Sequence, residues 1–158
     1  MTLTPGRAPP NPRATSSSGP VSGSWCAQPY VAGPRYINGP VAVVGPNDRI
    51  RIKYELQADG VHWIQSATNL ATGKVITQLQ SDSGDHQKGV GTAIECNQNC
   101  QPTVSDHTYV DWEVRLSKAD PAFRNTFGVN QGATYEGVTS EQNGQVWKIS
   151  KIFIPKMA

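Results

Sequence analysis

The sequence predicts an all-β protein, an antiparallel β-sandwich of two sheets. Short apolar runs recur at roughly 8–12 residue spacing with Gly, Asn, Asp and Pro between them, the pattern of a sandwich or barrel. One of these runs, Arg49 to Leu56, alternates strictly between apolar and charged residues. No window of about 11 residues carries apolar positions at helical period. Crossover helices are therefore not available, and the sheets are expected to be antiparallel.

A chain of 158 residues is one domain by length. Residues 1–23 are mostly Pro, Gly, Ser, Thr and Arg, with almost no large apolar side chain. They bury too little surface to offset the entropy of ordering, so they are expected to form an unstructured leader. Residues 24–158 are expected to form a single β-sandwich domain. Met1 to Pro20 has no apolar segment of signal-peptide type. The expected location is cytoplasmic, or secreted if a natural leader was removed.

From Trp25 the text changes to strands. Trp25 to Val31 is the first, and Val41 to Val44 runs up to a Gly45-Pro46-Asn47-Asp48 break. In Arg49 to Leu56, Ile50, Ile52, Tyr54 and Leu56 form one face; Arg49, Arg51, Lys53 and Glu55 form the other. Asp59-Gly60 is a hairpin turn signal. Val61 to Leu70 and Lys74 to Ser81 make a second hairpin around Ala71-Thr72-Gly73. Val90 to Glu95 reads as a short strand and Asp106 to Leu116 as a long one. Ser117 to Pro121 is a corner, followed by expected strands at Phe123–Val129, Thr134–Thr139 and Gln145–Ile154. Asn143-Gly144 is the strongest type I′ turn signal in the chain. In the last strand Val146, Ile152 and Ile154 alternate against Trp147, Ile149 and Phe153. Both faces read as apolar, which predicts a central strand between packed layers.

Several classes are excluded. The net charge is +2, with Lys and Arg scattered, so no nucleic-acid or anionic-membrane partner is expected. No apolar run approaches the roughly 18 residues that cross a bilayer. Cys26, Cys96 and Cys100 match no zinc spacing, and Asp82-Ser83-Gly84-Asp85 offers too few ligands for calcium. No cofactor motif is present, and none is expected. Cys96 and Cys100 could close a small ring, one of them could reach Cys26, or all three could be thiols.

Strand parity picks out the candidate chemistry. In Asp106 to Leu116, Val110, Trp112, Val114 and Leu116 point one way. Asp111, Glu113 and Arg115 point the other, and His107 shares their parity. An Asp, a Glu and an Arg on an enclosed face would form an acid/base and anion-holding set, with His107 as a general base. On an outer face they would be an ordinary solvated row. Trp25, Tyr30 and Tyr36 lie in the Gly/Pro-rich lead-in and could stack on a flat ligand, with Tyr54 at the wall. Trp63, Trp112 and Trp147 lie inside strands and read as core.

The stretch Gly45-Pro46-Asn47-Asp48-Arg49-Ile50, its alternating strand, and the hairpin Asn69-Leu70-Ala71-Thr72-Gly73-Lys74 with Val75-Ile76-Thr77 form an ordered series. A Ser/Asp/Gly loop, a Cys and a long strand with acidic residues and an aromatic follow. Over Trp25 to Leu116 this order resembles the fungal glutamic peptidases, the eqolisins. The resemblance implies a concanavalin-like jelly-roll with a concave ligand face. It also implies a catalytic Gln and Glu. The Gln belongs to an N-terminal segment whose equivalent here is the leader. With Asp111 and Trp112 on family positions, the Glu position falls on Arg115. The expected function is therefore a small-molecule or glycan site on the concave face, with acid/base chemistry at Asp111, Glu113 and Arg115. The alternatives are a non-catalytic lectin-like binding module, an acid peptidase, and an interaction domain that uses exposed strand edges.

Overall fold

The computed structural model describes residues 2–3, 13–14, 25–31, 37–45, 47–82, 89–93 and 105–156. The chain is all-β, and its sheets are antiparallel apart from one short parallel pairing. It divides into two compact units, Gly6–Val90 with Met1, and Gly91–Ala158 with Thr2–Pro5. Among the described residues no helix is long and apolar enough to cross a membrane.

Strand β1 (Thr2–Leu3) belongs to the second unit. The first unit begins with β2 (Arg13–Ala14), β3 (Trp25–Gln28), β4 (Tyr30–Val31), β5 (Ile37–Asn38) and β6 (Ala42–Val44). It continues with β7 (Ile50–Leu56), β8 (His62–Asn69) and β9 (Lys74–Asp82). Most of the leader lies outside the described residues; its two described pairs sit in β1 and β2. The expected first strand is divided at Pro29, whose ring nitrogen has no hydrogen to give a ladder.

The meander β7–β8–β9 is the frame of the first unit. Its turns are fixed by short polar side chains that bind the local backbone. Asp59 Oδ1 accepts the amides of Val61 and His62 at 2.9 and 3.0 Å. Asn69 Oδ1 accepts those of Ala71 and Thr72 at 2.9 and 3.3 Å. Register follows from these turns: Tyr54 stands opposite Gln65, which stands opposite Leu79. The next row is Leu56, Trp63 and Ser81, and the row on the other side is Ile52, Ala67 and Thr77. Tyr54, Trp63, Gln65, Ala67, Thr77 and Ser81 are all buried, so these three rows form the inner face.

Two described stretches, 28–31 and 37–40, are strapped onto that face. Gln65 Nε2 donates to the Tyr30 carbonyl at 3.2 Å and Thr77 Oγ1 to the Pro40 carbonyl at 2.5 Å. Close approach depends on Gly39. A Cβ there would lie 2.7 Å from Pro29 Cγ and 3.1 Å from Leu79 Cβ, so any larger residue would lift the strap.

The second unit is built on β10 (His107–Leu116), β11 (Thr134–Glu141) and β12 (Val146–Ile154), in the order β1-β10-β12-β11. The β11–β12 turn is the primed turn expected at Asn143-Gly144. Both residues have positive φ, 54° and 83°, and Gln145 N donates to Gln142 O at 3.2 Å. Two expected strands do not form. Val90–Ala93 is irregular, with Ile94 and Glu95 outside the described residues. Phe123–Thr126 is a 3-10 turn. There Asp120 Oδ1 takes the Ala122 amide at 2.9 Å and Asp120 O takes that of Phe123 at 3.2 Å, so local bonds replace a ladder. The turn brings Phe123 and Phe127 together, rings 5.4 Å apart and edge to face, over Trp147 at 6.2 and 5.9 Å.

One feature of this sheet overturns the expected faces of β12. Tyr135 lies opposite Ile152, and Trp147 opposite Val114. Trp147 and Ile152 are an odd number of residues apart, so an unbroken pleat would put them on opposite sides. Yet Phe127 touches both Trp147, at 5.9 Å, and Tyr135, at 6.0 Å. The pleat is therefore broken between them. The break is the row Asp111–Ser150–Gly137, which neither ladder pairs, and whose outer members have φ of 53° and 69°. Ser150 Oγ donates to the Glu136 carbonyl there at 2.9 Å. Trp147, Ile149, Ile152 and Ile154 thus share one apolar face. The opposite face of β12 carries Lys148 and Lys151, although Val146 on that side is also buried.

Candidate functional site

The break divides the charged set predicted on β10. Asp111 is the break itself, exposed and at φ 53°. A short polar side chain tolerates that left-handed backbone better than a branched one. Glu113 and Arg115 lie beyond it, on the face opposite Val114 and Trp147. His107 lies before it, across from Ile154 and so on the apolar face. Its Nδ1 is 2.8 Å from the Ser105 carbonyl. The expected sharing of one face by His107, Asp111, Glu113 and Arg115 is not met, because alternation does not survive a positive φ in the strand.

The face that holds Glu113 and Arg115 is a row of ion pairs. Lys148 bonds Glu141 at 2.5 Å and Lys151 lies 3.6 Å from Glu136, all with side chains about half exposed. Glu113 stands opposite Lys148, and Arg115 Nη1 donates to Gln142 Oε1 at 3.1 Å. The hydrogen bond that Lys148 donates to Glu141 raises the Lys148 pKa above its ordinary value, with Glu113 adding a smaller push the same way. Exposed pairs of this kind contribute little to stability, because water screens them. Such a face suits a solvated strand row.

The aromatic set fares differently. The Trp25 side chain and all of Tyr36 lie outside the described residues. Tyr30 and Tyr54 converge on one side chain, Gln65. Tyr54 is its cross-strand neighbour, and the Tyr30 carbonyl accepts its Nε2. Tyr54 is buried in the inner face rather than standing at an open wall.

Gln65 is 3% exposed and Ser81 5% exposed, yet Gln65 Oε1 and Ser81 Oγ have no hydrogen-bond partner. They are diagonal neighbours on the inner face, with Trp63 directly opposite Ser81. Diagonal positions on one face are about 7–8 Å apart at the backbone, and their side chains reach closer. A buried polar atom left unpaired costs about 1–3 kcal/mol. Two such atoms on diagonal positions of one face are therefore the least self-sufficient place among the described residues. None of the nine residues in the three inner rows carries a formal charge. Sequence reasoning did not single out Gln65, Thr77 or Ser81. The signal was there: all three occupy positions in phase with Trp63, Ala67 and Leu79, where alternation calls for apolar residues.

Among the described residues no group of three or more His, Cys, Asp or Glu is placed to hold a metal. Cys26 is buried, and Cys96 and Cys100 lie outside the described residues, as does most of the Asp82–Asp85 loop. No family model, curated protein or solved structure matches the chain.

Proposed function

We propose that the protein is a non-catalytic binding module that takes a small ligand on the inner face of β7–β8–β9. The observation that carries this reading is the pair of buried, unpartnered polar atoms, Gln65 Oε1 and Ser81 Oγ. Natural cores pair such groups, and an exception calls for a partner from outside the chain. The convergence of Tyr30 and Tyr54 on Gln65 supports the same place. The acid/base reading has less support, because its four residues are spread over two faces and a break.

A thermal-shift screen of the whole chain against a panel of small metabolites and sugars tests the proposal. A compound at a hundredfold excess over its Kd stabilises by about 2.7 kcal/mol, a shift of several degrees. Glu113→Gln and Arg115→Ala variants should respond to the same compounds as the parent protein. If no compound shifts the melting temperature, the reading fails. If binding is lost in those two variants, the site belongs on β10 instead.

A further inference from the structure

We infer that the ligand is a neutral hydroxylated ring, a sugar or cyclic polyol, held by Gln65 Oε1 and Ser81 Oγ. The inference rests on the binding-module reading and adds the chemical class to it.

Each step follows from what the two side chains have left to offer. Gln65 Nε2 is committed to the Tyr30 carbonyl, which can only accept, so the amide orientation is fixed and Oε1 faces the site as an acceptor. Oε1 therefore calls for an O–H or N–H donor. Ser81 Oγ can donate or accept, and it is the group that suits a hydroxyl in either role.

Charge narrows the class. The inner rows contain no Asp, Glu, Lys, Arg or His, so an ionic ligand would lose its hydration and meet no counter-charge. The neighbours set the remaining shape. Trp63 lies opposite Ser81 and Tyr54 opposite Gln65, and aromatic groups of this kind suit the C–H face of a ring whose edge carries hydroxyls. No protein hydrogen bond to either atom has to be broken for a ligand to reach it.

The test is calorimetric titration of the full chain with D-glucose, D-galactose and N-acetyl-D-glucosamine. D-glucuronate and D-glucosamine serve as charged analogues of the same ring. The expected result is binding of at least one neutral ring, with its charged analogue at least tenfold weaker. Ser81→Ala should weaken that binding about tenfold, the loss of one hydrogen bond. It should also leave the apo melting temperature unchanged or raised, because it deletes an unpaired buried group. Gln65→Met is the second variant and should weaken binding likewise. Four results would overturn the inference. If a neutral ring binds equally well to both variants, the atoms are wrong. If only the charged sugars bind, the ligand class is wrong while the module reading stands. If none of these sugars binds but the wider metabolite screen finds a ligand, the class again fails alone. If neither finds one, both readings fall together.

Discussion

Replacing Gly137 by Ala should be among the most damaging single-methyl additions in the second unit. Three costs add. Gly137 has φ of 69°, where a side chain costs about 1–2 kcal/mol. The new Cβ would lie 2.6 Å from Ser150 Cβ, and relieving such overlap costs about 1–3 kcal/mol of backbone and rotamer movement. Its contact with Ser150 Oγ would be closer still, so the hydroxyl must swing away and abandon the Glu136 carbonyl, a further loss of about 1 kcal/mol. The total is about 4 kcal/mol, measured by equilibrium urea unfolding. The Ser150→Gly background separates the terms. With Cβ and Oγ gone, only the φ cost remains, so the same substitution should there cost about 1–2 kcal/mol. The coupling of about 2–3 kcal/mol is the direct signature of the broken row. A loss below about 1 kcal/mol, or an equal loss in both backgrounds, would refute this account of the sheet.

Other perturbations probe different parts of the fold. Val114 is fully buried, and Val114→Ala should cost about 2–3 kcal/mol in unfolding free energy from lost transfer energy plus cavity. Gly39→Val should drive the strap off β9 through the Pro29 and Leu79 contacts, seen as accelerated hydrogen exchange at the Thr77 and Leu79 amides. Asp59 is held at about 2, below its ordinary 3.8, chiefly by the His62 and Val61 amides. Its folded pKa is depressed, so its contribution is complete above about pH 4 and fades as pH falls toward 2. Asp59→Asn should flatten the unfolding midpoint over that interval and leave the rest of the pH profile in place. Glu113→Gln should change stability by less than about 0.5 kcal/mol, as expected for a solvated strand position.

Much of the fold was legible because local chemistry and tertiary structure agree. The alternation of Ile50 to Leu56, the Asp59 and Asn69 turns, and the primed turn at Asn143-Gly144 each rest on a backbone requirement that the residue itself meets. Phe123–Val129 was misread because apolar content alone does not separate a strand from a short turn that aims two rings at one tryptophan. The residues of the proposed site were missed for a related reason. A Gln and a Ser among apolar positions look like tolerated impurities until the rows show them adjacent and buried. The rings of Tyr30 and Tyr54 suggest stacking, but the structure joins the two residues through a carbonyl and a cross-strand position.

The broken pleat bears on any charged row in a β-protein. Along β12 the positions on the apolar face run Trp147, Ile149, then Ile152, Ile154, with Val146 and Phe153 on the other side: a step of three interrupts the steps of two. On the same face, the same step separates Tyr109 from Trp112 on β10, where Val110 faces the other way opposite Lys151, and Tyr135 from Val138 on β11. These three steps flank one row, Asp111–Ser150–Gly137. A single strand with such a step could be a packing accident. Three paired strands with it in register require the sheet to turn over locally, and a Gly opposite a Ser is the residue choice that lets it. The consequence is geometric. Any set of side chains grouped by parity across that row is split, so a catalytic reading of Asp111 with Glu113, Arg115 and His107 needed the strand to be regular at the one residue where it is not. Asp111→Gly therefore offers a clean check. Gly takes a φ of 53° without the steric cost of a Cβ, so it should be neutral or stabilise by up to about 1 kcal/mol. A regular strand at that position would instead lose about 1 kcal/mol to the flexibility of glycine. The sign of the change decides between the two geometries.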